Sequence, residues 1–302
     1  MKILVSGASG LIGSAVVRRL CAAGHQVLPL VRPATRQAQE GVSWEPDAGM
    51  VDAAGLEAAG VDGVVHLAGE SIAAGRWTER RKARIRDTRV EGTRLLAKTL
   101  AALSSRPKVL LSASAVGLYG NRGDKELDET SPPGRGFLHD LCRDWEAATA
   151  PAAESGIRVA RLRFGLVLDP HGGALARMLL PFRLGLGGPL GNGRQYMSWI
   201  TRDDATAAIQ ALLVDLPLEG PVNLVAPQPV TNRQFVKTLG RCLGRPAVLP
   251  VPAFLLRLLL GQMADDLLLA SARVMPRRLT AAGYVFRHAD LESGLDHVLR
   301  KD

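Results

Sequence analysis

Residues 2–13 read Lys2-Ile3-Leu4-Val5-Ser6-Gly7-Ala8-Ser9-Gly10-Leu11-Ile12-Gly13, an apolar run that breaks into three glycines. An amphipathic stretch from Ser14 to Ala23 follows, with Val16, Val17 and Leu20 on one face. The pattern is a buried strand, a tight glycine turn and a helix. Such a turn suits a pyrophosphate resting on a helix N-terminus. Glycine lets the backbone approach the phosphates, and the free N–H groups and helix dipole stabilise their charge. Glycine-rich turns also arise as plain tight connections, but this one follows a strand and opens a helix, the context dinucleotide binding requires. Gly7, Ser9, Gly10, Leu11, Ile12 and Gly13 are the expected cofactor contacts.

A second apolar strand, Gln26-Val27-Leu28-Pro29-Leu30-Val31, ends on Arg32. A site that prefers NAD places Asp or Glu near this point to accept hydrogen bonds from the ribose 2′-hydroxyl. No acidic residue occurs between Gly24 and Glu40. Arg32, helped by Arg36, instead offers a guanidinium fork to a 2′-phosphate. The alternative is a solvated surface arginine, and the expectation is NADP(H) rather than NAD(H).

With 302 residues and 47% hydrophobic side chains the chain is long enough for one large or two smaller domains and a substantial core. The net charge of +9 invites a nucleic-acid reading, but no basic run is interleaved with aromatics. The densest basic cluster, Arg80-Arg81-Lys82 with Arg84, Arg86 and Arg89, falls on an expected helix and alternates with apolar positions. It reads as a solvated helix face, or as help with a phosphorylated cofactor. Cys21, Cys142 and Cys242 stand apart, with no Cys-x-x-Cys and no paired histidines. That pattern suits neither a zinc site nor a disulfide framework, and it implies a reducing, cytoplasmic setting. The first strand starts at residue 2 with no cleavable signal before it. Pro252–Leu260 is too short to span a bilayer and carries Arg257, so a buried helix is expected there.

Strand and helix patterns then alternate. Strands are expected at Val42–Trp44, Val61–Gly69, Val109–Ser112 and Arg158–Leu168, with helices over about 78–103 and 138–154. This rhythm predicts an α/β fold, a Rossmann-type doubly wound parallel sheet covered on both faces. Beyond Asp169 the rhythm loosens into glycine- and proline-rich loops, a helix over about 203–214, a strand near Val222–Val225 and a mostly helical tail. The expected division is a dinucleotide-binding part, 1–225, and a smaller helical part, 226–302, that caps the cofactor and shapes a substrate pocket.

These residues carry a resemblance. Gly7-x-x-Gly10-x-x-Gly13, His66-Leu67-Ala68-Gly69 and Ser112-Ala113-Ser114 before Tyr119-Gly120 resemble the extended short-chain dehydrogenase/reductase superfamily. Leu67-Ala68-Gly69-Glu70, the string Leu180–Pro189, Gly191-x-Gly193-x-Gln195 and Trp199-Ile200 resemble its atypical epimerase-family branch. The segment 248–296 is similar to the small C-terminal domain of unknown function that accompanies that branch. The resemblance implies NADP(H) binding and an oxidoreductase or sugar-epimerase activity on an unassigned small molecule. It places Val31 and Arg32 at the adenosine phosphate, Leu67, Ala68 and Gly69 beneath the adenine ribose, and Arg89, assisted by Arg84, on the helix that faces the cofactor. It puts Arg163-Phe164-Gly165 and Val167 beside the nicotinamide and makes Ser114 the catalytic serine. Homodimerisation through the two long helices is also implied.

One departure stands out. Members of that superfamily use a Tyr-x-x-x-Lys pair, in which Tyr exchanges a proton with the substrate hydroxyl and Lys lowers its pKa and holds the ribose. Anchored on Trp145-Glu146, those positions hold Leu138 and Cys142. Tyr119 is the expected substitute, unless it is a packed tyrosine with its hydroxyl bonded. Glu70 is the second, unless it bonds backbone N–H groups, and His139 reads as a partly exposed helix residue. Gln195 and Trp199 are expected to line the substrate pocket, with a core role the alternative for Trp199. Arg202 and Asp203-Asp204 suit a helix start. The reading is an NADP(H)-binding oxidoreductase of epimerase-like ancestry, and its rival is an NADP(H) sensor that has lost turnover.

Overall fold

In the computed structural model the described residues are 1–33 and 41–300. The expectation for Arg36 lies outside them. The first half builds β1 (Lys2–Ser6), α1 (Leu11–Ala22), β2 (Gln26–Val31), β3 (Val42–Glu45), β4 (Met50–Val51), α2 (Ala53–Ala59), β5 (Gly63–His66), α3 (Glu79–Ala102) and β6 (Val109–Ala115). Then come β7 (Glu126–Leu127), α4 (Phe137–Ala147), α5 (Ala150–Glu154), β8 (Arg158–Phe164), β9 (Leu166–Leu168), α6 (Gly173–Arg183), β10 (Tyr196–Met197) and β11 (Trp199–Thr201). The remainder is α7 (Arg202–Val214), β12 (Gly220–Leu224), β13 (Val230–Thr231), α8 (Asn232–Cys242), α9 (Ala253–Leu260), β14 (Arg273–Val274), α10 (Arg277–Ala281) and α11 (Leu291–Leu299).

The sheet runs β12-β8-β6-β5-β1-β2-β3-β4. Every neighbouring pair is parallel except the closing β3–β4 pair. Strand order reverses at β1, so a crevice opens between the carboxyl ends of β1 and β5, where open α/β sheets bind their ligands. The period-two pleat sorts the core. Ile3, Val5, Val65 and Leu111 pack with Val16 and Leu20 of α1 and Ile209 and Leu212 of α7. Leu4, Val64 and Leu110 face the other way, onto Leu96 and Leu100 of α3 and Ala152 of α5.

Three local expectations change. The strand expected at Arg158–Leu168 breaks at Gly165. A Cβ there would meet the Ser198 carbonyl at 2.4 Å, so glycine lets the chain leave the main sheet and pair β9 with β11. The helix expected over 138–154 is two, α4 and α5, with Pro151 tolerated in the first turn of the second. The helix at Pro252–Leu260 forms but is not buried. Phe254, Leu258 and Leu259 are 70%, 68% and 61% exposed, and Leu256 alone of α9 is in the core.

The chain beyond residue 225 packs back on the earlier part through elements outside the main sheet. β14 pairs with β7, Leu279 of α10 joins the central core, and Phe235 and Leu295 of α8 and α11 pack with Trp199 and Phe182. Among the described residues no helix is long and apolar enough to cross a membrane.

Candidate functional site

The glycine turn lies at the carboxyl end of β1. Gly7 has φ +67°, a conformation that favours glycine, and its carbonyl accepts from Gly10 N at 2.9 Å. Gly10 is the N-cap of α1, with no side-chain cap and no acidic residue in the first turn. The helix dipole and the first-turn N–H groups are left facing the crevice with nothing anionic against them. A Cβ on Gly13 would sit 2.0 Å from the Gly7 carbonyl, whereas one on Gly10 meets only that oxygen at 3.2 Å. Gly13 serves helix–strand packing and Gly10 keeps the crevice open. Ser9 and Gly10 are exposed, and Leu11 and Ile12 half-buried. These residues fit a pyrophosphate.

Polar groups hidden beneath the turn hold it in place. The Ser6 hydroxyl oxygen accepts from Leu67 N at 3.0 Å and Ala68 N at 3.2 Å, which leaves its proton for His66 Nδ1 at 2.7 Å. His66 Nε2 then donates to the Thr93 hydroxyl at 3.0 Å, which also accepts from the Trp145 indole at 2.9 Å. Burial lowers the His66 pKa to about 4, so the ring is neutral. This chain ties β1, β5, α3 and α4 together under Leu67, Ala68 and Gly69. Ile12, Leu67 and Val167 pack on one core, so turn, strand end and β9 converge as expected. The Arg89 guanidinium covers Trp145 at 5.1 Å, and a Cβ on Gly69 would approach it at 3.3 Å. Arg89 therefore borders the crevice.

At the adenosine end Val31 is buried and Arg32 is exposed just past the end of β2. Asp47 follows β3, and folding brings it into the field of both Arg32 and Arg84. The hydrogen bond from Arg84, outweighing desolvation and aided by the charges of Arg84 and Arg32, holds its carboxyl below the usual range. Arg84 grips Asp47 in a two-pronged bond of 2.8 and 3.0 Å, a contact the sequence reading did not include.

Ser114 is the last residue but one of β6, and its hydroxyl donates to Glu146 Oε1 at 2.7 Å. Arg163 holds the same carboxylate with Nε at 2.8 Å and Nη2 at 2.9 Å, and its Nη1 donates to the Tyr119 hydroxyl at 2.8 Å. Tyr119 passes its proton to Asn223 Oδ1 at 2.8 Å, and Asn223 N donates to Glu129 at 3.0 Å. All six residues are buried. Burial works against the Arg163 charge, but the Glu146 pair overcomes it and leaves the pKa raised. Burial also pushes the Tyr119 hydroxyl up, which makes it a poor proton donor at neutral pH.

Several expected site residues fall elsewhere. Tyr119 is fully buried with its hydroxyl committed on both sides, not presented to a substrate. Trp199 is a core residue at 0% exposure, its indole donating to the Gln228 carbonyl at 3.0 Å. Gln195 is buried and splints two loops, donating to the carbonyls of Leu190 and Leu268 at 3.1 and 3.0 Å. Glu70 pairs with Arg81 at 3.3 Å. His139 is buried rather than partly exposed, its Nδ1 on the Leu118 carbonyl at 3.1 Å. Leu138 packs with Trp77, Met263 and Leu260, so an apolar cluster occupies the tyrosine position. Cys142 is buried, and desolvation followed by the Glu146 charge pushes its thiol up to about 12. The roles of Glu146, Asn223, Ser6 and Thr93 are not legible in the sequence, because no spacing in the chain announces pairs formed between distant segments.

The model of the NAD dependent epimerase/dehydratase family matches residues 3–223, and a domain of unknown function (DUF1731) matches residues 251–298. Epimerase family protein Mb2239 of Mycobacterium bovis is 43% identical over 98% of this chain and 96% of its own length. The mouse epimerase family protein SDR39U1 is 37% identical over 99% of this chain and 100% of its own. Among solved structures, human SDR39U1 (isoform 2) with NADPH superposes with a TM-score of 0.89 at 35% identity, covering 99% of both chains. UDP-glucose 4-epimerase of Thermotoga maritima, at 21% identity over 100% of this chain and 99% of its own and a TM-score of 0.77, shares the fold.

Proposed function

The chain belongs to the NAD dependent epimerase/dehydratase family, and from that premise we propose that it binds NADP(H) as a cytoplasmic oxidoreductase acting on a small molecule. The observation that carries the reading is the uncapped N-terminus of α1 at the strand-order reversal, with Arg32 beyond the end of the next strand. The relative solved with NADPH supports the same choice of cofactor.

Bound NADP(H) supplies or accepts a hydride. The chain holds the pyrophosphate on the Gly7–Gly13 turn, reads the 2′-phosphate with Arg32, and supports the ribose with the Leu67–Gly69 backbone pinned by Ser6. Ser114 has its one proton on Glu146, so toward the crevice it offers only lone pairs. It therefore orients a substrate hydroxyl or amine by accepting from it. The Glu146 carboxylate, fixed by Arg163, keeps Ser114 in that state.

A second reading, an NADP(H) sensor without turnover, is favoured by one observation. The groups around Ser114 satisfy one another, and Leu138 and the protonated Cys142 stand where a Tyr/Lys pair would act. Titration with NADPH and NADH, followed by a metabolite screen read at the NADPH absorbance, separates the readings. NADPH binding with turnover supports the first, and binding without turnover of any metabolite supports the second. Absence of NADPH binding rejects both.

A further inference from the structure

Several large apolar side chains outside the glycine turn and the Ser114 network are exposed. Val248 and Leu249 are 73% and 48% exposed, and Phe254, Leu258 and Leu259 continue the surface along α9. Backbone bonds from Leu249 N to Gly187 O at 3.1 Å and from Val251 N to Pro189 O at 2.9 Å fasten this segment to a second exposed set. There Leu184 and Leu186 are 64% and 57% exposed. Contiguous exposed apolar patches rimmed by polar groups mark surfaces that meet another phase or partner.

Basic side chains gather at one end of this surface. A surface cavity of about 330 Å³ opens beside Val248, and Lys237, Arg241 and Arg245 line it with no acidic residue among its walls. Arg257 projects from α9 itself, half-exposed and paired with Asp265 at 2.9 Å. Among the described residues, only Arg241 of the cavity cations has an ion-pair distance to an acid, 3.5 Å to Glu292 on an exposed rim.

We propose that this face seats on an anionic phospholipid surface. A phosphate-bearing headgroup enters the cavity of Lys237, Arg241 and Arg245, and Val248, Leu249, Phe254, Leu258 and Leu259 enter the acyl boundary. The charge argues against a second copy of the chain. A two-fold contact sets the same patch against itself, and Lys237 and Arg245 would meet a surface whose cavity lining carries no acid. An anionic bilayer supplies both complements at once, negative headgroups above apolar chains. The contact is peripheral, because no described helix is long and apolar enough to span. It is independent of the cofactor reading, since none of these residues belongs to the glycine turn or the Ser114 network.

Flotation of the full chain with phosphatidylcholine vesicles, with and without phosphatidylglycerol, tests this. The expected result is binding to the phosphatidylglycerol vesicles alone, weakened by added salt. Phe254→Ser combined with Leu258→Gln should abolish it, and Lys237→Glu or Arg245→Glu should each weaken it about fivefold or more. Unchanged far-ultraviolet dichroism and an unchanged NADPH titration in the variants show that fold and crevice are intact. Equal binding to neutral vesicles, no binding, or binding that survives the apolar double variant overturns the proposal. A dimer in light scattering that the same double variant dissolves, without vesicle binding, assigns the face to a second copy. Thermal stabilisation by inorganic phosphate without vesicle binding makes the cavity a soluble-anion site and likewise overturns it.

Discussion

Arg32, Gly10 and Gly13 concentrate the chemistry of the cofactor end into three side-chain choices. Arg32→Glu should weaken NADPH binding and spare or improve NADH, because the fork for a 2′-phosphate becomes an acceptor for a 2′-hydroxyl. Titration of wild type and variant with both dinucleotides checks it, and equal ratios before and after would remove Arg32 from the site. The two glycines should separate fold from binding. Gly13→Ala places a methyl 2.0 Å from the Gly7 carbonyl and should cost about 1–3 kcal/mol in denaturant unfolding. In Gly10→Ala the methyl approaches that oxygen at only 3.2 Å, so folding should survive while NADPH-induced thermal stabilisation is lost. Similar losses of stability at both positions would refute the division of labour.

At the scale of elements, Glu146 joins β6, α4 and β8 through one carboxylate. Removing one partner of a buried pair strands the other charge. Glu146→Leu should therefore destabilise the protein by about 3–5 kcal/mol. Pairing that change with Arg163→Met should restore much of the loss, since two apolar side chains of similar volume leave no orphaned charge. Denaturant midpoints of the two variants decide it, and a double variant no better than the single one would show that geometry rather than charge dominates. The long helices give a different signal. Their exposed positions include Arg84, Arg86, Asp87 and Glu91 on α3 and Asp140 and Arg143 on α4, and no exposed large apolar residue lies on either. A dimer through them would rest on charge pairing, whereas α9 carries the apolar surface.

Across the whole molecule, the Ser6–His66–Thr93 chain lies at the centre of the sheet, and its protonation reaches global stability. His66 titrates near 6.5 when unfolded and about 4 when folded, because burial disfavours the charged ring. The unfolded chain therefore takes up the proton first. The stability is fully present above pH 6.5, and it falls by up to about 3 kcal/mol as pH drops through that window toward 4. Unfolding free energies at pH 7 and pH 5 for wild type and His66→Asn measure this. The variant should lose less on acidification, and an identical pH slope in both would remove His66 as the cause.

Local pattern wrote the first half of this structure into the sequence. The glycine turn, the order of apolar strands and the start of α3 depend on interactions within a few residues, and each appears close to its expected bounds. The resemblance spans nearly the whole chain, and within it the epimerase/dehydratase family model matches residues 3–223 and the domain of unknown function residues 251–298. What only the tertiary structure decided are contacts between distant segments. Tyr119 and Asn223 lie 104 residues apart, and their hydrogen bond turns an expected catalytic hydroxyl into a structural one. Trp199 becomes core because α8 and α11 close over it. The Pro252–Leu260 helix has the composition of a buried segment, and its exposure follows because no described residue covers Phe254, Leu255, Leu258 and Leu259. Periodicity states that a face is apolar, and only the folded chain states whether anything within the molecule covers it.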